Sequence, residues 1–437
     1  MKRKSIPPIL AVFLLALPVA AQEESAGDEE AIQEAAAEEK EGAKKESHKA
    51  GYEKKAVFGG PNTPGGQLEE DDQLKEPAFR FPAFDRTMGR WFDWKRRVNE
   101  EHGFQVGGHY VSLYQSLSDS LGEEDDAWSG LFRLNARWGF AERENGDDGA
   151  LVLTVDQRHA FSDLAPGGLA GQAGYLGVTG LLLTDIDGAI INLNYQQSFN
   201  GRRTGLIAGR YDPTDYMNVL GYANPWSAFQ NLATLLEPTT AFPDSSWGIG
   251  AGTWLNEKWW VLGSVNDANG LATDDLEFFS GGAEFFKQAS FGWSPSKDER
   301  YFKSFNTSIW HVDERENLGI ESAKGIGLNA NWTWDDTWMV FFRLGLSDGS
   351  APIYNTSATA GFMRYFASRS DLLGLAVNWG DPPDDALAEQ ITTEAFYRVQ
   401  IAQNLALTPS LQYLVDPAFN DVDDSVWVFG LRLRVIY

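Results

Sequence analysis

The C-terminal residues show the pattern most plainly. Trp427, Phe429, Leu431, Leu433, Val435 and Tyr437 alternate with Val428, Gly430, Arg432, Arg434 and Ile436. One face is greasy and ends in an aromatic ring; the other carries two guanidinium groups. A period of two is the side-chain repeat of a β-strand. The same alternation recurs upstream. Phe132, Leu134, Ala136 and Trp138 alternate with Arg133, Asn135 and Arg137; Leu151, Leu153 and Val155 alternate with Thr154, Asp156 and Arg158. Ile191, Leu193 and Tyr195 oppose Asn192, Asn194 and Gln196; Ile326, Leu328, Ala330, Trp332 and Trp334 oppose Asn329, Asn331 and Thr333. Ala395, Tyr397, Val399 and Ile401 oppose Glu394, Arg398 and Gln400.

A strand half-buried in a soluble core shows the same period, so number and spacing decide. Segments of this kind over 103–437 predict about sixteen strands, an even number as single-chain bacterial barrels have. Short turns (Asn200-Gly201-Arg202, Asn256-Glu257, Asp335-Asp336, Gln403) alternate with long loops at 161–187, 213–244, 268–280 and 348–357. A soluble sandwich has no reason for that rhythm; a membrane barrel, with short turns at one mouth and long loops at the other, does. The predicted fold is all-β: a transmembrane antiparallel barrel with an apolar wall outside and a wet lumen inside, and an inward-folded third extracellular loop.

The region before the barrel reads differently. Residues 1–21 carry Lys2, Arg3 and Lys4, then an apolar run from Ile9 to Leu17, then Val19-Ala20-Ala21, the plan of an export signal. Residues 22–85 form an acidic Ala/Glu/Lys-rich tail and a Pro/Gly linker, read as mobile and periplasmic. A short helix is expected over 86–102, with Thr87 as N-cap, Gly103 past its end, and Met88, Trp91, Phe92, Lys95 and Val98 on one face.

Composition narrows the function classes. The chain has no cysteine, so an exported domain must be held by hydrogen bonding or a large core rather than by disulfides. A formal net charge of -26 makes nucleic acid an improbable partner. The five histidines, His48, His102, His109, His159 and His311, fall in no triad or metal-ligand spacing. No catalytic residue, metal or cofactor is expected, and the protein is not read as an enzyme.

The candidate chemistry lies on the wet face. Arg133, Arg137, Arg158, Arg210, Arg343, Arg364, Arg398, Arg432 and Arg434 are read as lumen-facing, with Asp156, Glu284 and Glu394 as acidic partners. Opposed fixed charges across a narrow pore replace part of a solute's hydration. The segment 212–244 is too long for an idle connection. It holds Asp212, Asp215, Tyr216, Tyr222, Asn224 and Trp226. Rings beside carboxylates and amides suit a sugar, whose C–H face stacks while its hydroxyls take hydrogen bonds. This loop is expected to form the constriction.

Several motifs resemble the carbohydrate-selective porin family, the OprB type. They are Arg90-Trp91-Phe92-Asp93-Trp94 running into Gly103, Ala208-Gly209-Arg210-Tyr211-Asp212 entering the long loop, and Ser246-Trp247-Gly248-Ile249-Gly250 after it. The C-terminal series is similar too: Glu394-Ala395-Phe396-Tyr397-Arg398, Gln412-Tyr413-Leu414-Val415-Asp416-Pro417 and Gly430-Leu431-Arg432-Leu433. The resemblance implies sixteen strands, passive diffusion of monosaccharides such as glucose, and an eyelet of arginines and carboxylates. It places Arg210 and Asp212, and Arg398 with Glu394, in that eyelet. It implies the outer membrane of a Gram-negative bacterium, with both termini periplasmic. Expected partners are a carbohydrate solute, outer-membrane lipid and lipopolysaccharide, and the β-barrel assembly machinery during insertion; monomer and homo-trimer both stay open. A general or anion-preferring diffusion porin is the alternative, because the arginine wall suits anions.

Overall fold

The alternating segments become strands that close on themselves. In a computed structural model of the chain, residues 50–52, 57–79, 81–143, 145–273, 276, 278–279, 281–366 and 370–437 are described. The expected export signal (1–21) and the tail up to residue 49 lie outside the described residues. Among the described residues sixteen strands form one closed antiparallel ring. They are β1 Phe104–Leu117, β2 Asp126–Glu142, β3 Asp148–Ala160, β4 Ile186–Phe199, β5 Thr204–Tyr211, β6 Ser246–Trp254, β7 Trp259–Asp267 and β8 Phe285–Trp293, then β9 Lys303–Val312, β10 Ala323–Trp334, β11 Trp338–Asp348, β12 Thr356–Phe366, β13 Asp371–Asp381, β14 Gln390–Ala402, β15 Leu405–Val415 and β16 Ser425–Ile436. The seam is β1 against β16, with Tyr110 opposite Val435 and Ser112 opposite Leu433. Closure leaves no edge strand, so the ladders satisfy the backbone without water.

Turns and loops segregate to opposite ends. Asp335 and Asp336, between β10 and β11, both have φ of 49°. That is the mirror-image turn whose twist matches the strands it joins. The loops 118–125, 161–185, 212–245 and 268–284 all lie at the other end.

The outward face is apolar over the middle of the strands, with Lys287, His311, Lys324 and Asp348 exposed only at the loop end. Leu134 (36% exposed), Ile249, Ile309, Leu328, Leu344 and Leu431 stand free on it. Rings mark both margins: Trp128 with Phe161 and Tyr413 with Trp427 near the loops, Trp138 with Phe140 and Trp259 with Phe291 near the turns. In water so large an apolar belt would be unstable; in a bilayer it is the ordinary exterior, with aromatic rings at the two interfaces. No described helix is long and apolar enough to cross a membrane.

The stretch before the barrel departs from the linker expected over 58–85. Helix α1, Pro64–Asp72, starts at Pro64 with the Thr63 side chain as N-cap. It packs inside the turn end, where Gln67 accepts from Asn135 on β2 at 3.1 Å and Asp71 accepts from Arg434 on β16 at 2.7 Å. Helix α2 spans Pro82–His102 and ends on Gly103, which has φ of 65°. A side chain at Gly103 would meet the Gly139 carbonyl oxygen at 2.3 Å, so only glycine fits. The helix begins five residues before the expected Thr87 cap, because Pro82 is itself suited to a first turn.

The lumen is not uniformly wet. Met339, Phe341, Met363, Leu372, Ala376 and Phe396 form an apolar inner patch on β11–β14, covered by Leu220, Phe229 and Leu235 of the third long loop. The buried core of this barrel is loop packed on lumen wall.

Candidate functional site

The third long loop, 212–245, enters the barrel and must satisfy its backbone there. Its short helix α3 is Leu232–Leu235. Glu394 on β14 accepts from the amides of Gln230 (2.6 Å) and Asn231 (3.0 Å) and from the Thr234 hydroxyl (2.6 Å). At the other end of α3, Arg343 on β11 donates to the carbonyls of Leu235 (2.7 Å) and Leu236 (3.2 Å), and also to that of Asn218 (3.2 Å). Arg432 on β16 donates to Pro225 and Ala228 at 3.1 and 2.7 Å. A carboxylate thus takes free N–H groups while guanidiniums take free C=O groups, which is the division that helix ends require.

The second long loop, 161–185, packs beside the third. Leu181 donates to the Gln230 carbonyl and Leu232 to that of Val178, each at 3.0 Å. Thr179 presents its carbonyl to Gln115 on β1 and Gln412 on β15, both at 2.8 Å. Two loops therefore fill one side of the lumen.

A cavity of about 410 Å³ remains. On one wall Asp156 of β3 accepts bidentately from Arg133 of β2, at 2.6 Å for both bonds, and from Arg158 at 2.8 Å. The pair and its partner are buried, Asp156 completely. The Arg133 guanidinium lies 4.0 Å over the Trp226 ring. The same cavity is lined by Asp212, Asp215 and Asp244. Burial, and then the neighbouring Asp244, push the Asp212 carboxyl up to about 6. Burial and the Asp212 charge raise Asp215 well above the usual range. The cavity lining thus offers both hydrogen-bond donors and acceptors.

Residues 321–437 match the family model described as carbohydrate-selective porin, OprB family. The resemblance read in the C-terminal motifs therefore holds. The OprB match contains Arg343, Glu394, Arg398 and Arg432, which hold the loop or lie near the turn end; Arg133, Asp156 and Arg158 lie outside it. The OprB structure from Pseudomonas putida at high pH is 14% identical, with a TM-score of 0.62, over 79% of this chain and 97% of that one. A mutant porin of Rh. blastica is 14% identical, with a TM-score of 0.47, over 76% and 100%. No curated protein matches. At this identity the OprB-like likeness shows the fold.

The other candidate residues divide. In this OprB-like barrel Arg137 pairs with Asp148 at 2.5 Å near the turn end. Arg398 donates to the Ser370 carbonyl at 3.3 Å, also near that end. Tyr216 accepts from Gln196 at 3.3 Å, outside the cavity lining. Arg210 does not line the 410 Å³ cavity. It shares a face with Leu193 and Trp247 in the register, and donates to the carbonyls of Ile190 and Leu271. It ties the fourth long loop to the wall. Glu284 stands just outside β8, where it accepts from Asn269 (2.6 Å) and the Glu316 amide (3.3 Å) at the loop rim. Arg364 faces outward, 4.1 Å over Trp338. Trp226, expected to offer a stacking face, is only 2% exposed and spends that face on Arg133.

Sequence reasoning missed Asn62, Asp244 and Thr184. Thr184 accepts from Arg158 at 3.2 Å. Asn62 reaches the cavity from the stretch read as a linker.

Proposed function

We propose that the chain is an outer-membrane porin for passive diffusion of small carbohydrates, monosaccharides such as glucose. One observation carries the reading: Arg133 and Arg158 line one cavity with Asp212, Asp215 and Asp244 inside an apolar-walled barrel. A sugar hydroxyl both donates and accepts, so a site with both partners within reach replaces its hydration. A bare anion would use only the donors and a cation only the acceptors. Asp156 also neutralises part of the arginine pair, which weighs against the anion-preferring alternative. Flux then follows the gradient, with binding weak enough for release. The loop end faces outward and both termini lie in the periplasm, with lipid and lipopolysaccharide around the belt. Insertion uses the β-barrel assembly machinery, and no catalytic step is assigned. Swelling of proteoliposomes in mono- and disaccharides and in amino acids of matched size tests this. Faster entry of sugars is expected. Equal rates at equal size would leave a general pore, and chloride selectivity without sugar preference would favour the anion reading.

A further inference from the structure

The stretch from Val57 to Lys75 packs against wall residues Asn135 and Arg434 but belongs to neither the strands nor the long loops. Its turn at 59–63 stands between two cavities. Asn62 lines the 410 Å³ cavity described above. Gly59, Pro61, Glu70 and Lys75 line a second one of about 840 Å³ on the turn side, together with Tyr222 and Asp336.

Wall residues are committed to this stretch. Arg434 donates to Asp71 at 2.7 Å, and His109 stands 3.6 Å from the same carboxylate. Despite the cost of burial, Arg434 and His109 hold the Asp71 carboxyl below the ordinary carboxylate range. Asn224 of the third loop donates to Glu70 at 3.1 Å. Phe58 lies under the Arg300 guanidinium at 4.7 Å, and its carbonyl accepts from Tyr301 at 2.5 Å. His109, Asn135 and Arg434 are at most 5% exposed. Without the stretch they would face the lumen without these partners. The chain has no cysteine, so every tie is non-covalent.

We infer that residues 57–75 are an intramolecular plug that sets the pore's solute cut-off, with Asn62 the group it presents to the passing solute. The inference rests on the channel reading above. Helix α1 has nine residues. At about 1.5 Å per residue and about 10 Å across it fills roughly 1000 Å³. That is comparable to the 840 Å³ left open beside it. Releasing it therefore about doubles the free section at the turn end.

The test uses the full chain in planar bilayers and liposomes. D71A/Q67A cuts the two ties of α1 to the wall. Its single-channel conductance is expected to rise roughly two-fold, in line with the freed section, and it should admit a trisaccharide that the unaltered chain excludes. Unchanged conductance and cut-off, in protein that keeps the gel mobility of a folded barrel, would overturn the inference. Should that variant not fold, N62C decides. It carries the only thiol in the chain, and a charged methanethiosulfonate reagent should lower its conductance; no change would remove Asn62 from the path. A chain that conducts ions without sugar preference ends the carbohydrate reading and leaves the plug standing. A chain that conducts nothing ends both.

Discussion

Removing the Glu394 carboxylate should free the third loop without unfolding the barrel. Its side chain is fully buried and takes three donors: the amides of Gln230 and Asn231 and the Thr234 hydroxyl. In E394A the hydroxyl keeps an alternative acceptor, since the Asn231 carbonyl lies 3.0 Å away. Two backbone N–H groups lose their partner. Each orphaned donor costs about 1–3 kcal/mol, so the loop loses about 2–6 kcal/mol of local stability, about 4 at the centre of the range. At about 1.4 kcal/mol per factor of ten, that raises the opening equilibrium of 228–236 by about three orders of magnitude. Water entering the lumen would lower the figure, so about two orders is the working expectation. E394Q keeps one acceptor and turns an N–H₂ toward the other amide, and should fall between. Hydrogen exchange read on peptides covering 228–238 measures this directly. Peptides of β1 and β16 serve as the internal reference for the barrel. Exchange of 230–236 unchanged in E394A, or raised equally throughout the strands, would refute the view that this carboxylate holds the loop.

Two further outcomes follow from the site. R210A should leave conductance and sugar selectivity at the values of the unaltered chain, and should instead raise exchange around Leu271, whose carbonyl the guanidinium holds; a widened or reselected pore would put Arg210 back in the constriction. The Asp212 carboxyl, raised to about 6, loses its charge as pH falls through 6. Cation preference measured by reversal potential should therefore decline between pH 7 and pH 5, and D212N should lack that decline. Because the folded value lies above the unfolded 3.8, this group favours the fold below about 4, and its contribution is lost as pH rises through 6.

What was legible followed the alternation. Where one face is polar and the other apolar, as in β2, β3 and β16, the sequence alone gives the strand and its lumen side. Where both faces are apolar the parity cannot be read. Leu206-Ile207-Ala208 leads into Arg210, and Phe362-Met363 into Arg364. Both arginines, read as lumen-facing, pair in register with outward residues. These doubly apolar runs carry information of another kind. Phe341 and Met363 face inward under the third loop, so an apolar residue on the lumen side marks where a loop packs inside. The plug was not legible, for a tertiary reason. Gly59-Gly60-Pro61, Pro64-Gly65-Gly66 and the acidic run that follows are linker chemistry by composition. Their order comes from partners hundreds of residues away, such as Arg434 and Arg300.

The lumen charges divide into two sets by position around the ring. Arg133, Asp156 and Arg158 stand on β2 and β3. Arg343 and Glu394 stand on β11 and β14; β11 is eight strands from β3 in a ring of sixteen, and so faces it across the lumen. The third loop leaves β5 at Asp212, two strands from β3, and is held farther round the ring by Arg343, Glu394 and Arg432. An altered anchor should change selectivity through loop position and leave the Arg133–Asp156–Arg158 cluster intact. An altered cluster, as in D156N, should change selectivity while exchange of 228–236 stays as it was. The two readouts moving together in both variants would mean that cluster and loop form one unit, and the division into anchors and solute-facing charges would be wrong.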